Sequence, residues 1–179
     1  MTTCIALLRG INVGGRNRIP MAGLREVSTD LGWADVRTYI QSGNVIFGAA
    51  EAPSRLEADL ERAILLNFGL KIAVLIRTAG EWADCVAGNP FPDESAAEPN
   101  RVMLGLAKNP PKPGAADRLQ ERASSGERVI AAGDALWAHF PAGAGTSKIT
   151  PALLDRLAGS PVTMRNWRTV LKLDELARG

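Results

Sequence analysis

Hydrophobic residues in the first half of the chain switch between the spacing of a strand and that of a helix. Thr3–Arg9 is a short apolar run typical of a strand, and apolar residues then recur every three or four positions after Pro20, which predicts a helix. Two further strands, Val36–Gln41 and Asn44–Phe47, flank the turn signal Ser42-Gly43. The pattern predicts the order strand, helix, strand, strand.

A second amphipathic helix and a fourth strand complete the first half. Ser54 and Glu57 have the spacing of a capping box, in which the two side chains bind free amides at the start of a helix. Gly69 can end that helix in a left-handed conformation, and Lys71–Arg77 alternates as a strand. The order βαββαβ is the ferredoxin-like plan, with two helices on one face of a four-stranded antiparallel sheet.

The second half repeats this order after "NPFPDESAAEPN" (residues 89–100), whose three prolines and lack of bases predict a linker. The segment "YIQSGNVIF" aligns with "VIAAGDALW", which places Gly43 on Gly133 and indicates an internal duplication. We therefore predict an α+β protein of two tandem ferredoxin-like units with antiparallel sheets, plus a C-terminal helix. The predicted ranges are 1–79, a helix and linker over 80–100, and 101–179, which includes the C-terminal helix.

Charge is balanced over the whole chain and unevenly placed within it. The 179 residues have a formal net charge of +2, but the first 25 contain four arginines and no acid. No signal-peptide core or membrane-length apolar run occurs, which predicts a cytoplasmic protein with no membrane partner. One histidine and two distant cysteines predict no metal site, and nothing in the sequence indicates a cofactor.

The loop "RGINVGGRNR" (residues 9–18) is the first candidate site. A glycine-rich segment between a strand and a helix start places free backbone amides together, and such amides attract anions. Arg9, Arg16 and Arg18 add positive charge. The glycines match neither GxGxxG nor GxxxxGK[ST], so no nucleotide fingerprint is present. The plainer alternative is a corner whose arginines are simply solvated.

Three other segments carry candidate ligand-binding side chains. Lys148 in "GAGTSK" could reach an oxyanion, although capping of the next helix by Thr146 or Ser147 is the simpler interpretation. In "RNW", Arg165 could hold a carboxylate or phosphate beside Trp167, or the tryptophan could simply pack the last helix. Arg37, Tyr39 and Gln41 share a polar strand face that could meet the first loop, or could be an ordinary solvated sheet face. The residues predicted to bind a ligand are Arg9, Asn12, Gly14, Gly15, Asn17, Arg18, Tyr39, Gln41, Asn44, Lys148, Arg165, Asn166 and Trp167.

Several of these motifs are familiar as a set. "LLRGINVGGRNRIPM", "TYIQSGNVIF", "NPF" (residues 89–91) and "TMRNWRTVLKL" (residues 163–173) resemble, in order and spacing, the bacterial family called domain of unknown function 1697. The resemblance implies a tandem ferredoxin-like fold and no particular activity. It therefore supplies motif positions without residue roles.

The sequence leaves four functions open. The first is the binding of a phosphorylated small molecule or nucleotide through the Gly/Arg-rich loop, with Arg165 serving the same site. The second is nucleic-acid binding, although an RNA-recognition sheet needs an aromatic-rich strand and "NVIFG" offers only Phe47. The third is an enzyme with no assignable catalytic residues, since His139 has no partner set by spacing. The fourth is a structural or interaction module.

Overall fold

The fold is that of a computed structural model, which describes residues 1–179. The chain divides into two compact units. The first contains Met1–Asp84 and Leu173–Gly179, and the second contains Cys85–Lys172. No helix is both long and apolar enough to span a membrane.

The first unit contains four strands and two long helices in the predicted order. The elements are β1 (Thr2–Leu8), α1 (Met21–Asp30), β2 (Ala34–Tyr39), β3 (Asn44–Ala49), α2 (Pro53–Phe68) and β4 (Val74–Thr78). They are followed by α3 (Ala79–Ala87), which begins in this unit. The strands form one antiparallel sheet in the order β2-β3-β1-β4.

The second unit has the same succession of strands and helices. The elements are α4 (Pro92–Ala97), β5 (Val102–Ala107), α5 (Ala115–Gln120), β6 (Arg128–Ala132), β7 (Ala135–His139), a 3₁₀ turn (Ala144–Thr146), α6 (Pro151–Ala158), β8 (Val162–Asn166) and α7 (Trp167–Arg178). The sheet order β6-β7-β5-β8 is that of the first sheet, and all its neighbours are antiparallel. The predicted fold class, two βαββαβ units with a C-terminal helix, is confirmed.

Both faces of each sheet carry buried apolar residues. In the first unit, Cys4, Ala6 and Leu8 of β1 belong to the core under α1 and α2, while Ile5 and Leu7 on the opposite face are equally buried. The second unit has Leu136 and Ala138 in the core under its helices. Trp137, on the other face of β7, has no exposed surface. These strands therefore read as continuous apolar runs rather than as simple alternation.

The two hairpins occupy equivalent places, but their glycines do not. The ladders between the first and third strands of the units end at Leu7↔Asn44 and Leu106↔Ala135, so Asn44 corresponds to Ala135. By the same register Gly43 corresponds to Asp134, and the predicted alignment of Gly43 with Gly133 is wrong by one residue. The cause is loop length: four residues separate the pair Tyr39↔Asn44, but two separate Ala132↔Ala135.

The predicted capping box at the start of α2 is also wrong. Ala52 is the N-cap residue, and no side chain caps this end of the helix. Glu57 is buried, and its Oε1 accepts a hydrogen bond of 2.8 Å from the backbone N–H of Ile76 in β4. Glu61 accepts in the same way from the N–H of Val74. Because β4 lies at the sheet edge, these carboxylates satisfy amides that lack a neighbouring strand.

The segment 89–100 is folded, contrary to the prediction of a linker. It contains α4 and the fully buried Phe91. Asn89 holds this turn, because its Oδ1 accepts from the N–H of Phe91 and its Nδ2 donates to Ser95 Oγ at 2.7 Å. The guanidinium of Arg128 lies 4.9 Å from the centre of the Phe91 ring. The motif "NPF" is therefore a local anchor in the second unit.

Candidate functional site

The loop between β1 and α1 folds as a small hairpin of its own. Val13 and Arg16 form a β-bridge, and the N–H of Arg16 donates to the carbonyl of Val13 at 3.0 Å. Gly14 and Gly15 occupy the turn with φ of 56° and 76°. Two successive positive φ angles are what a type I′ turn requires, and glycine adopts them at little cost. The glycine pair thus shapes the tip of the loop.

Two asparagines close this hairpin at its base. The Nδ2 of Asn12 donates to the carbonyls of Ile19 and Gln41 at 3.0 and 2.9 Å. Its Oδ1 accepts from the N–H of Ile19 at 3.0 Å. Asn17 donates to the carbonyl of Gly10 at 2.9 Å. Both asparagines have positive φ, a conformation that asparagine tolerates better than most residues. Asn12 is therefore committed to holding the loop.

A pocket lies between this loop, the first hairpin and the start of α1. Its volume is ≈ 430 Å³. The lining residues are Asn12, Gly15, Arg18, Ile19, Pro20 and Gln41. Four of these, Asn12, Gly15, Arg18 and Gln41, are among the residues predicted to bind a ligand. The structure therefore brings part of the predicted set together around one pocket, which lies entirely within the first unit.

Arg18 supplies the positive charge of this pocket. Its guanidinium lies beside Gly15, where an added Cβ would come within 3.7 Å of Nη2. Arg18 is exposed and forms no ion pair, and Arg16 shares both properties at the loop tip. The first turn of α1 adds partial positive charge, because its N-cap residue, Pro20, offers no capping side chain and no acid lies in that turn. Arg9 is half-buried, and its backbone N–H pairs with the carbonyl of Ala73.

The hairpin residues of the predicted set divide between the interior and the surface. Asn44 is fully buried, and its Nδ2 donates to the carbonyl of Tyr39 at 2.8 Å and to Ser42 Oγ at 3.1 Å. Tyr39 is half-buried at the end of β2. Gln41 is exposed and lines the pocket, where its backbone carbonyl accepts a hydrogen bond from Asn12 Nδ2. Asn44 therefore stabilises the hairpin that carries Gln41.

The remaining predicted residues belong to the second unit. Arg165 is 8% exposed in β8, and its Nη1 donates to the carbonyl of Met164 at 2.9 Å. Burial lowers the pKa of Arg165 to about 10, which still leaves the guanidinium charged at neutral pH. Asn166 caps α7 by accepting from the N–H of Thr169, and the ring of Trp167 lies 5.7 Å from that of Trp137. That Arg165 and the first loop bind the same ligand stays a prediction.

The prediction that Thr146 or Ser147 of "GAGTSK" caps the next helix is wrong. Thr150 is the N-cap of α6, and its Oγ1 accepts from the N–H of Leu153. Ser147 instead donates to Glu127 Oε1 at 2.6 Å. Lys148 is exposed and lines a separate pocket with Arg122 and Arg156. The sequence reasoning missed Arg122, because only the tertiary structure brings the residues that follow α5 beside α6.

Sequence reasoning also missed the counterpart of Arg165 in the first unit. The ladders place Arg77 opposite Ile5 and Arg165 opposite Leu104, which are equivalent positions in the two sheets. Each arginine donates Nη1 to the carbonyl of the preceding residue at 2.9 Å. The two sequences around these arginines share little else, so only the register reveals the correspondence. No group of three or more His, Cys, Asp or Glu side chains could hold a metal ion.

Comparison with known proteins identifies the fold and the family without a biochemical activity. No curated protein matches the sequence. Among solved structures, the conserved bacterial protein SP0830 from Streptococcus pneumoniae is similar, with a TM-score of 0.70 and 22% sequence identity. The match covers 98% of each chain and supports the fold alone. Residues 1–137 match the family described as "Protein of unknown function (DUF1697)". This chain therefore belongs to the DUF1697 family.

Proposed function

We propose that the first unit binds a phosphorylated small molecule or nucleotide in the pocket beside Arg18. The observation that carries this proposal is the pocket itself, ≈ 430 Å³ at the uncapped start of α1, with a guanidinium that has no ion-pair partner. A phosphate placed there would meet the charge of Arg18 and the partial charge of the helix end. A cytoplasmic location stays a prediction and suits a ligand of this class.

The rigidity of the loop supports the same function. The three hydrogen bonds of Asn12 hold the strand-to-helix connection in one conformation, so the pocket needs little ordering when a ligand binds. Gly15 keeps the space beside the guanidinium open, because a side chain at this position would contact Arg18. The loop therefore combines a fixed frame with an accessible charge.

Nucleic-acid binding has less support. Phe47, the aromatic residue on which that alternative depended, is 1% exposed and stacks on Trp33 with ring centres 3.7 Å apart. It offers no surface on which a base could stack. We therefore favour a small phosphorylated ligand over RNA.

A thermal-shift titration with inorganic phosphate and a nucleoside monophosphate tests the proposal. Both ligands should raise the melting temperature of the wild-type protein, since a ligand that binds only the folded state stabilises it. Arg18→Gln should reduce the shift, whereas Arg16→Gln should leave it unchanged, because Arg16 lies in the same loop outside the pocket. The wild-type shift should weaken as salt is added. Equal shifts in the two variants would contradict the proposed function.

A further inference from the structure

We propose that the second unit has its own site for a compact polyanion, of which diphosphate is the simplest example. The site is the pocket of ≈ 480 Å³ beside α6, lined by Arg122, Lys148, Thr150, Ala152, Leu153 and Arg156. Its residues all lie in the second unit, and it does not depend on the pocket beside Arg18.

Charge is the first argument for this site. Arg122, Lys148 and Arg156 are exposed, none of them forms an ion pair, and no carboxylate lines the pocket. Three like charges around one concavity repel one another, and a bound polyanion relieves that repulsion. The pocket beside Arg18 contains a single cation, so the second pocket offers the stronger attraction for a ligand with several negative charges.

The second argument is that the backbone carrying Lys148 is held in place. Ser147, the preceding residue, donates to the carboxylate of Glu127 and accepts from the N–H of Ile149 at 3.0 Å. Ile149, the following residue, is 3% exposed in the core. Lys148 therefore extends from a fixed point, which lowers the ordering cost of using its ammonium group.

The segment that carries Arg122 is fixed in a similar way. The backbone N–H of Arg122 donates to the carbonyl of Leu119, which is fully buried. Gln120 ties this segment to β6, since it donates to the carbonyl of Glu127 and accepts from the N–H of Val129. Two of the three cations thus extend from backbone that is anchored to the core or to the sheet.

The walls of the pocket indicate the class of ligand. Thr150 already caps the N–H of Leu153, so the side-chain cations provide the attraction rather than that helix amide. Ala152 and the half-buried Leu153 add an apolar surface beside the charges. Three cations next to a small apolar wall fit a ligand that carries two or more phosphoryl groups on a small body.

Calorimetric titration with inorganic pyrophosphate tests this site, with Arg122→Gln, Lys148→Gln and Arg156→Gln as variants. Each loss should weaken binding about tenfold, the effect expected for one hydrogen bond to a charged group. Arg62→Gln is the matched control, because Arg62 is an exposed arginine on α2 that lines neither pocket. All four side chains are exposed, so the variants should keep the wild-type melting temperature in phosphate-free buffer.

Arg18→Gln separates this inference from the proposed function of the first unit. Pyrophosphate affinity that survives Arg18→Gln and falls in the three variants of the second unit supports the site beside α6. Affinity that falls only in Arg18→Gln overturns this inference and leaves the proposed function standing. Affinity that is unchanged both in Arg18→Gln and in the three variants of the second unit overturns the second site as well. So does a lack of pyrophosphate binding by the wild-type protein.

Discussion

The two hairpins of the duplicated fold connect equivalent strands through loops of different length. In the first unit, four residues connect β2 to β3, and the fully buried Asn44 holds them by bonding to the carbonyl of Tyr39. In the second unit, two residues connect β6 to β7, and Ala135 takes the place of Asn44. The first hairpin is thus integrated into the core, whereas the second is a simple surface turn.

The glycines show the consequence of this difference. Gly43 has φ of 80°, and a Cβ at this position would lie 2.6 Å from Ile11 Cδ1 and 2.8 Å from Leu8 Cβ. Gly133 has φ of 57°, and a Cβ there would meet nothing within 4 Å. Both glycines are required by backbone conformation, but only Gly43 is also required by packing against the segment that leads into the candidate loop.

The largest expected effect is that of Gly43→Ala. It should lower the free energy of unfolding by about 3 kcal/mol, because overpacking adds to the strain of a positive φ. Gly133→Ala is the matched control and should cost only about 1 kcal/mol. Urea denaturation of both variants measures the difference. Equal losses would show that packing around Gly43 relaxes and that the two hairpins do not differ in this respect.

The next effect concerns the connections between the first strand and the first helix of each unit. Asn12→Ala removes three hydrogen bonds and should cost about 2 kcal/mol. In the second unit Ser160, which is distant in sequence, bonds to the N–H and carbonyl of Asn109. Ser160→Ala should cost about 1 kcal/mol, since fewer bonds are lost. A greater loss in Ser160→Ala would reverse this comparison when both are measured by urea denaturation.

A third effect tests how the first sheet protects its edge. Glu57→Ala leaves the N–H of Ile76 without its acceptor in a buried position and should cost about 1.5 kcal/mol. Ser54→Ala, which removes the other residue of the apparent capping box, should have almost no effect because no side chain caps α2. Thermal unfolding of the two variants checks this. A similar loss in both would support the capping box instead.

A fourth effect is a dependence on pH that belongs to the second unit. Glu127 accepts from Ser147 Oγ and from the amides of Ser124 and Ser125, and these bonds lower its pKa to about 2. Stability from this carboxylate is therefore present above about pH 4.5 and is lost as pH falls towards 2. Glu127→Gln should flatten the decline of stability over this range.

Asp134→Asn is the control for that experiment, because Asp134 is an exposed carboxylate with no hydrogen-bond partner. Urea midpoints measured at several pH values between 4.5 and 2 should fall as steeply in this variant as in the wild-type protein. A decline in Glu127→Gln that matches the wild-type slope would show that Glu127 does not contribute to the pH dependence.

Much of the candidate site was predictable from the sequence, for a local reason. Glycines at positions 14 and 15 predict a turn with positive φ, and the four arginines of the first 25 residues, which contain no acid, predict a basic surface. The hydrogen bonds by which Asn12 and Asn44 hold their loops were not predictable, because each depends on a backbone carbonyl that the folded chain brings into reach. Arg122 was missed for the same reason, since it lies 26 residues before Lys148 in the sequence and only the fold brings the two side chains to one pocket.

The sequence by itself determined the order of the strands and helices and the two-unit fold. Hydrophobic periodicity and turn residues act over a few positions, and the repeated βαββαβ order restricts how such elements pack. Tertiary structure alone decided the one-residue offset between the hairpin glycines, the edge role of Glu57 and the folding of residues 89–100. Each of these depends on contacts between distant segments, whose energies no local pattern encodes.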